Sequence, residues 1–388
     1  MKRGPTGRLE STSGGGEAVN AFIPKPLPPV PPIQLDGRLQ VILERASLAL
    51  GRLDSVSMIL PGTDLFLYSY VRKEAVLSSQ IEGTQSSLSD LLLFEMDQAP
   101  GVPIDDAQEV SNYVAAMEYG LTRLREGFPF SARLIREIHQ QLLSKGRGSD
   151  REPGEFRRSQ NWIGGTRPGT ATFVPPPHAY VNECISDLER FIHGGDGGLP
   201  VVIQAGLFHV QFETIHPFLD GNGRVGRLLI TLLLCATSVL HEPLLYLSLY
   251  FKQHRAEYYR LLDVVRAEGD WEAWLDFYLH GIAETAEGAV ATARQLNGLF
   301  DADRARIQKE AGRRAGSLLR VHEALKQRPL CTLAEAVKRS GLSFPATASA
   351  MEELVESKIA RELTGKKRNR IFVYDRYLAT LSEGTEPL

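Results

Sequence analysis

The densest group of reactive side chains in this 388-residue chain is His216-Pro217-Phe218-Leu219-Asp220-Gly221-Asn222-Gly223-Arg224-Val225-Gly226-Arg227. An imidazole, a carboxylate, a glycine-rich turn and two arginines stand together, directly before an apolar run. Two glycines flanking Asn222 permit positive φ, which points successive backbone N–H groups at one spot. A helix starting near Gly223 adds the positive end of its dipole. Arg224 and Arg227, three apart, are expected to share a helix face and grip different oxygens of one polyphosphate. His216, with an unperturbed pKa of about 6.5, is competent to accept a proton near neutrality. Asp220 is a hard oxygen ligand suited to Mg²⁺, which keeps several waters and bridges phosphate oxygens. The chemistry implied is transfer from a nucleotide to a hydroxyl, driven by positioning and electrostatics. Walker A, strand–GxGxxG and HExxH patterns are missing, so P-loop, Rossmann and zinc readings have no support.

The elements that must position these groups are helical. Apolar spacing predicts helices over 39–60, 64–82, 86–97, 104–126, 131–145, 178–193, 200–215, 223–240, 249–267 and 271–293. Pro61-Gly62 ends the first, and Gly83 closes the second as a left-handed cap. Ser78 and Glu82, four apart, share one face of that second helix. Most such glutamates simply face solvent; a carboxylate near a helix C-terminus is disfavoured by the dipole, which marks Glu82 for other work. Between 154 and 177 short β-prone pieces surround a Gly/Pro turn. They predict a hairpin flap whose unpaired edge accepts a peptide by β-augmentation, with Thr172, Phe173, Val174 and Pro175 at its end. An irregular surface loop is the plainer alternative. Tyr258 and Tyr259 belong to an aromatic set spaced for core burial, with stacking on a purine as the other reading.

Residues 1–23, rich in Gly, Ser and Thr, are expected to be disordered, and the prolines of 24–32 to run extended. A helical region over 24–100 then precedes the site-bearing domain, 101–296. A charged connector helix, 297–317, leads to a module over 318–388. There, three short helices and two β-prone pieces flank the basic turn Gly365-Lys366-Lys367-Arg368-Asn369-Arg370, in the order of a winged helix-turn-helix. DNA binding is one use of such a module, and protein docking or dimerisation is another. A formal net charge of −3 gives no global attraction to nucleic acid or membrane. Cys184, Cys235 and Cys331 form no close pair, so a reduced, cytoplasmic protein is expected, and no apolar run is long enough to span a bilayer.

Read as HPFLDGNGRVGR, His216 to Arg227 agrees with HxFx(D/E)GNGRxxR at every fixed position, and on these residues the chain resembles the Fic family over about residues 24–295. The resemblance implies an all-α Fic helical bundle with a small β-hairpin flap, followed by the winged helix. It implies transfer of AMP from ATP to a Ser, Thr or Tyr hydroxyl of a target protein, including itself, with release of pyrophosphate. His216 corresponds to the general base and Asp220 to the Mg²⁺ ligand. Gly221, Asn222, Gly223, Arg224, Val225 and Gly226 correspond to the phosphate cradle, and Arg227 to the γ-phosphate ligand. Tyr258 and Tyr259 are placed beside the nucleotide, and Arg266 stands where some relatives carry a nucleotide-contacting Asn. Ser78-Ser79-Gln80-Ile81-Glu82-Gly83 fits the inhibitory pattern (S/T)xxxE(G/N), which implies that Glu82 forms a bidentate pair with Arg227 and restrains the reaction. Removal of AMP with a Glu82-oriented water, and a homodimer, are further expectations. The competing reading is a DNA-binding regulator whose Fic domain is a sensor or uses another nucleotide.

Overall fold

The computed structural model describes residues 1–59, 63–97, 101–194, 197–366 and 369–387. The Pro61-Gly62 helix stop and two residues of the basic turn, Lys367 and Arg368, lie outside the described residues. The chain opens with a hairpin of β1 (Gly7–Gly14) and β2 (Glu17–Pro24), then α1 (Gly37–Ile59), α2 (Thr63–Ile81) and α3 (Leu88–Phe94). The site-bearing bundle follows as α4 (Ile104–Arg125), α5 (Ala132–Leu142), α6 (His178–Ile192), α7 (Val201–Ile215), α8 (Asn222–Ala236), α9 (Ser248–Gln253), α10 (Arg255–Glu268) and α11 (Trp271–Glu310). A C-terminal module comprises α12 (Ala315–Gln327), β3 (Leu330–Thr332), α13 (Leu333–Ser340), α14 (Phe344–Glu356), β4 (Arg361–Glu362), β5 (Ile371–Val373) and α15 (Asp375–Ser382). Its three strands form one antiparallel sheet in the order β3-β5-β4.

The core is organised around α7, which is buried on all sides from Val202 to Ile215. Gly206 lets α11 approach its backbone: a Cβ there would fall 2.8 Å from the Tyr278 ring, and the Trp274 indole donates to the Gly206 carbonyl at 2.9 Å. α8 packs beside α7, so the loop between them, which carries His216 to Gly221, is anchored at both ends in core.

Several expectations are corrected. Residues 1–23 are not disordered: β1 and β2 pair in register from Gly7↔Pro24 to Gly14↔Glu17. Gly15 and Gly16, at φ 55° and 83°, form the two-residue turn between them. Val19, Ala21, Phe22 and Ile23 are buried, which supplies the apolar contacts that the Gly/Ser/Thr composition conceals. Pro24 ends β2 and residues 25–32 have no regular structure; Arg3 donates to the Pro31 and Pro32 carbonyls and to Glu272 at the start of α11. There is no separate connector, because the 40-residue α11 runs unbroken past the 296/297 boundary to Glu310. The helix predicted over 249–267 is divided at His254 into α9 and α10. The flap hairpin is reduced to one antiparallel bridge, Ile163↔Phe173; Pro168 starts a short 3₁₀ turn within it and cannot donate to a ladder. Among the described residues no helix is long and apolar enough to cross a membrane.

Trp274 is fully buried and hydrogen-bonded, so Trp274→Ala is expected to cost about 3–5 kcal/mol of stability. Chemical denaturation of both proteins measures it.

Candidate active site

α7 ends at His216, which adopts the left-handed conformation at φ 48° and ψ 61°. This places a non-glycine residue in a sparsely populated region, and the surroundings hold it there. Arg157 donates from Nε to the His216 carbonyl at 2.9 Å, and its backbone N–H donates to the Pro217 carbonyl at 2.9 Å. Asn222 spans the loop: its Oδ1 accepts from the Phe218 N–H and its Nδ2 donates to the Phe218 carbonyl, both at 2.9 Å. Asn161 donates to that carbonyl at 3.0 Å. His139 lies 3.7 Å from Phe218 as a stacked ring. Its Nδ1 accepts from the Gly154 N–H at 2.8 Å, so its Nε2 carries the proton directed at the Asp220 carbonyl, 3.0 Å away. Gly221, at φ 76°, then opens α8, and Val225 N–H to Gly221 carbonyl is the first bond of the helix. The N–H groups of Asn222, Gly223 and Arg224 precede that bond and constitute an anion-binding helix start.

The two arginines do not act together. The Arg224 guanidinium is buried against α4, donating to Glu109 at 3.1 Å and lying 3.6 Å from Asp220. Arg227 faces α2. Its Nε donates to Ser78 Oγ at 2.9 Å, and its Nη2 donates to the Ser78 carbonyl at 3.0 Å and to Glu82 Oε1 at 2.7 Å. The expected bidentate carboxylate pair is therefore monodentate, with Ser78 supplying the other acceptors. The 60° offset between positions three apart on a helix is enough to send each guanidinium to a different neighbour. Glu82 and Gly83, the latter at φ 104°, lie just past the end of α2. Burial would raise the Glu82 carboxyl, but Arg227 outweighs it and holds the group below the usual range. The Glu82 side chain is still 36% exposed, so water screens the pair and leaves it separable.

Of these groups Glu82 and Arg227, with His216, line one cleft of about 400 Å³ together with Trp162, Thr172, Glu213, Tyr258, Tyr259 and Arg266, whereas Asp220, Arg224 and Ser78 are not among its lining residues. Gly223 and Arg227 are the residues of the glycine-rich helix start that face it. The absence of a side chain at Gly223 is required, because a Cβ would overlap the Glu82 carboxylate. Val225 points into the core, and Gly226 makes room for Glu213 rather than for a ligand. Tyr258 is buried and bonds His209 at 2.8 Å, whereas Tyr259 is 38% exposed at the rim. Arg266 stacks over Phe173 at 3.9 Å and bonds Thr214 and Asp263. The flap edge is partly taken: Thr172 and Phe173 pair with Ile163, the Val174 carbonyl accepts from the Phe22 N–H of β2, and the Pro175 carbonyl accepts from Gln160. Asp220 accepts from the Gly221 N–H at 2.6 Å and is about one third exposed. Among the described residues no group of three or more acidic, His or Cys side chains could hold a metal alone. A single half-open carboxylate at the loop before α8 fits only an ion that takes its remaining ligands from water or a bound anion.

The Fic/DOC family N-terminal model matches residues 41–122, and the Fic/DOC family model matches 129–234, which contains the whole His216–Arg227 loop and helix start. Residues 41–122 and 129–234 are thus similar to the two Fic/DOC family domains. The "Protein adenylyltransferase Fic" of Aedes aegypti is 31% identical over 230 residues, covering 55% of this chain and 43% of that protein. The protein of the same name from Culex quinquefasciatus is 30% identical over 258 residues, 63% and 47% of the two chains. The chain thus spans less than half the length of these curated relatives. A Fic family protein from Desulfovibrio desulfuricans G20 superposes with a TM-score of 0.57 at 19% identity, over 88% of this chain and 97% of that one. A Fic domain containing signaling protein from Bacteroides thetaiotaomicron VPI-5482 gives 0.51 at 18%, over 66% and 95%. At these identities the likeness is one of fold.

Sequence reasoning missed Arg157, Glu109 and Glu213, each distant from the Fic motif or masked as an ordinary helical residue. Burial and the nearby Arg157 and Arg266 guanidinium groups push His216 down to about 3, so it is neutral at physiological pH. Glu213 lies one turn earlier on α7, with its Oε2 3.9 Å from His216 Nδ1. Burial pushes its carboxyl up to about 7. A group raised in the folded state stabilises fully below its unfolded pKa of about 4.5, and that contribution is lost as pH rises through 7. The Tm of Glu213→Gln relative to wild type should therefore rise by a few degrees between about pH 5 and pH 8. Parallel melting curves across that range would contradict the assignment.

Proposed function

We propose that this Fic protein transfers AMP from ATP to a side-chain hydroxyl, Ser, Thr or Tyr, of a target protein or of itself, releasing pyrophosphate, and that Glu82 restrains the transfer. The observation that carries the reading is the convergence of His216, the open start of α8 and Arg227 on one cleft, with Glu82 on the guanidinium. The triphosphate would lie along the α8 N-terminus, where unpaired N–H groups and the helix dipole favour anions. Arg227 would take the terminal phosphate and so orient the α-phosphorus for in-line attack. His216 accepts the proton of the attacking hydroxyl while the new O–P bond forms and the bond to pyrophosphate breaks. Its resting basicity is low, and the negative charge of bound phosphates raises it toward a useful value. Asp220 would hold Mg²⁺, whose chemistry when bound is to neutralise charge on the phosphate oxygens.

Restraint follows from exclusivity. A guanidinium whose Nε and Nη2 hydrogens are taken by Ser78 and Glu82 offers a phosphate only its Nη1 side, next to a competing carboxylate, and a nucleotide displaced by about 1 Å can lose roughly a hundredfold in rate. Glu82→Gly is therefore expected to raise AMP transfer by about tenfold or more, and His216→Ala to abolish it in either background. Incubation with ATP labelled at the α- or the γ-phosphate, followed by gel autoradiography, measures both. Label retained from the α position alone fits AMP transfer, and label from the γ position overturns it. The same label decides whether Glu82 also supports removal of AMP: modified protein should lose it faster with wild type than with Glu82→Gly.

A further inference from the structure

We infer that the C-terminal module is an intramolecular clamp on α2, which fixes the last turn of that helix in the position that sets Glu82 on Arg227. This rests on the reading of Glu82 as a restraint. The two sides of α2 carry different jobs. Glu74, Ser78 and Glu82 repeat every four residues on the side facing the active site, where Arg227 meets Ser78 and Glu82, and Glu74 accepts from Tyr113 and from the Ser248 N–H and hydroxyl. Ser69, Lys73 and Gln80 occupy the opposite side, as their spacing on a helix of 3.6 residues per turn requires.

That opposite side is covered by α15 and the residues after it. The Tyr377 hydroxyl lies 3.1 Å from Ser69 Oγ, both buried. The Gln80 amide, two residues before Glu82 and 1% exposed, donates to the Thr385 carbonyl and to the Ser86 carbonyl, each at 2.8 Å. One side chain thus ties the end of α2 both to its own exit loop and to the C-terminal residues. Lys252 on α9 donates to the Gly384 carbonyl at 3.2 Å and to the Glu386 carbonyl. Gly384, at φ 81°, permits this approach, since a Cβ would fall 2.8 Å from Leu249. Glu74 holds the first residue of α9, so α2, α9 and the C-terminal residues form a closed triangle.

The charge distribution of the module favours this role over binding a nucleic acid. α14, the helix that would enter a groove, carries Glu352, Glu353 and Glu356 and no Lys or Arg. Arg370 of the basic turn is paired with Glu352 and Glu362, and Arg361 with Asp375. Phosphate contacts need free cations, and Arg361 and Arg370 are spent internally.

The test compares wild type, Gln80→Met and a chain ending at Ser382, each alone and combined with Glu82→Gly. AMP transfer is read together with hydrogen exchange of residues 76–86, after circular dichroism confirms folding. Gln80→Met keeps the side-chain volume and removes the amide, whose N–H groups make both bonds and whose oxygen makes none among the described residues, so it remains informative if the shortened chain does not fold. The clamp predicts faster exchange at the end of α2 and roughly tenfold more AMP transfer in either variant, as expected for weakening a resting state by one or two hydrogen bonds. In the Glu82→Gly background neither change should raise transfer further. Unchanged exchange of residues 76–86 overturns the clamp whatever the activity. Faster exchange with unchanged transfer, where Glu82→Gly does raise it, overturns the link from module to Glu82. A silent Glu82→Gly instead defeats the restraint reading, and the exchange arm still reports on the clamp.

Discussion

A guanidinium cannot give up its proton, so Arg227, 2% exposed at the floor of the cleft, must always be partnered. The rest of the site is arranged around that demand. In the resting protein the partners are two groups on one side of α2, the Ser78 backbone and hydroxyl and the Glu82 carboxylate. A polyphosphate offers equivalent acceptors in the same place. Exchange of one anionic partner for another costs far less than leaving the arginine bare, which is why the proposed restraint treats the site as a two-state element. Glu82 is the partner that can leave, being partly hydrated, whereas Ser78 is fully buried and stays.

A second constraint concerns the loop from His216 to Gly221. Its φ at His216 is positive, and no glycine eases it. Arg157, Asn161, His139 and Asn222 each spend hydrogen bonds on backbone groups of this loop rather than on the cleft. Such support fixes His216 and the start of α8 before any ligand arrives, which is where preorganised sites draw their advantage. The burial that provides this rigidity also lowers the basicity of His216, so in the proposed reaction phosphate charge is part of what readies it.

The site was legible in the sequence where function and local spacing coincide. His216, Asp220 and Arg227 sit in one contiguous motif, and Ser78 and Glu82 repeat at helical spacing before a glycine, so both ends of the Arg227 contact could be read before any fold was known. What could not be read were partners chosen by packing. Arg224 turns to Glu109 because α4 lies beside α8, and Gly226 is needed by Glu213, both facts of tertiary placement. Likewise, the pairing of β1 with β2 depends on burial against the flap, which a Gly/Ser/Thr-rich stretch does not announce beyond its Gly15-Gly16 turn. α15 escaped notice because its use is a contact with a helix some 300 residues earlier, as in the Ser69–Tyr377 pair.

The most direct measurement of the central claim is a pair of structures, wild type and Glu82→Gly, each with a non-hydrolysable ATP analogue and Mg²⁺. The exclusivity of Arg227 predicts that its guanidinium contacts the γ-phosphate in the variant, with the α-phosphorus facing His216, and stays on Glu82 in the wild type with the phosphates displaced. An identical nucleotide pose in both, with Arg227 on the γ-phosphate beside an intact Glu82, would contradict it.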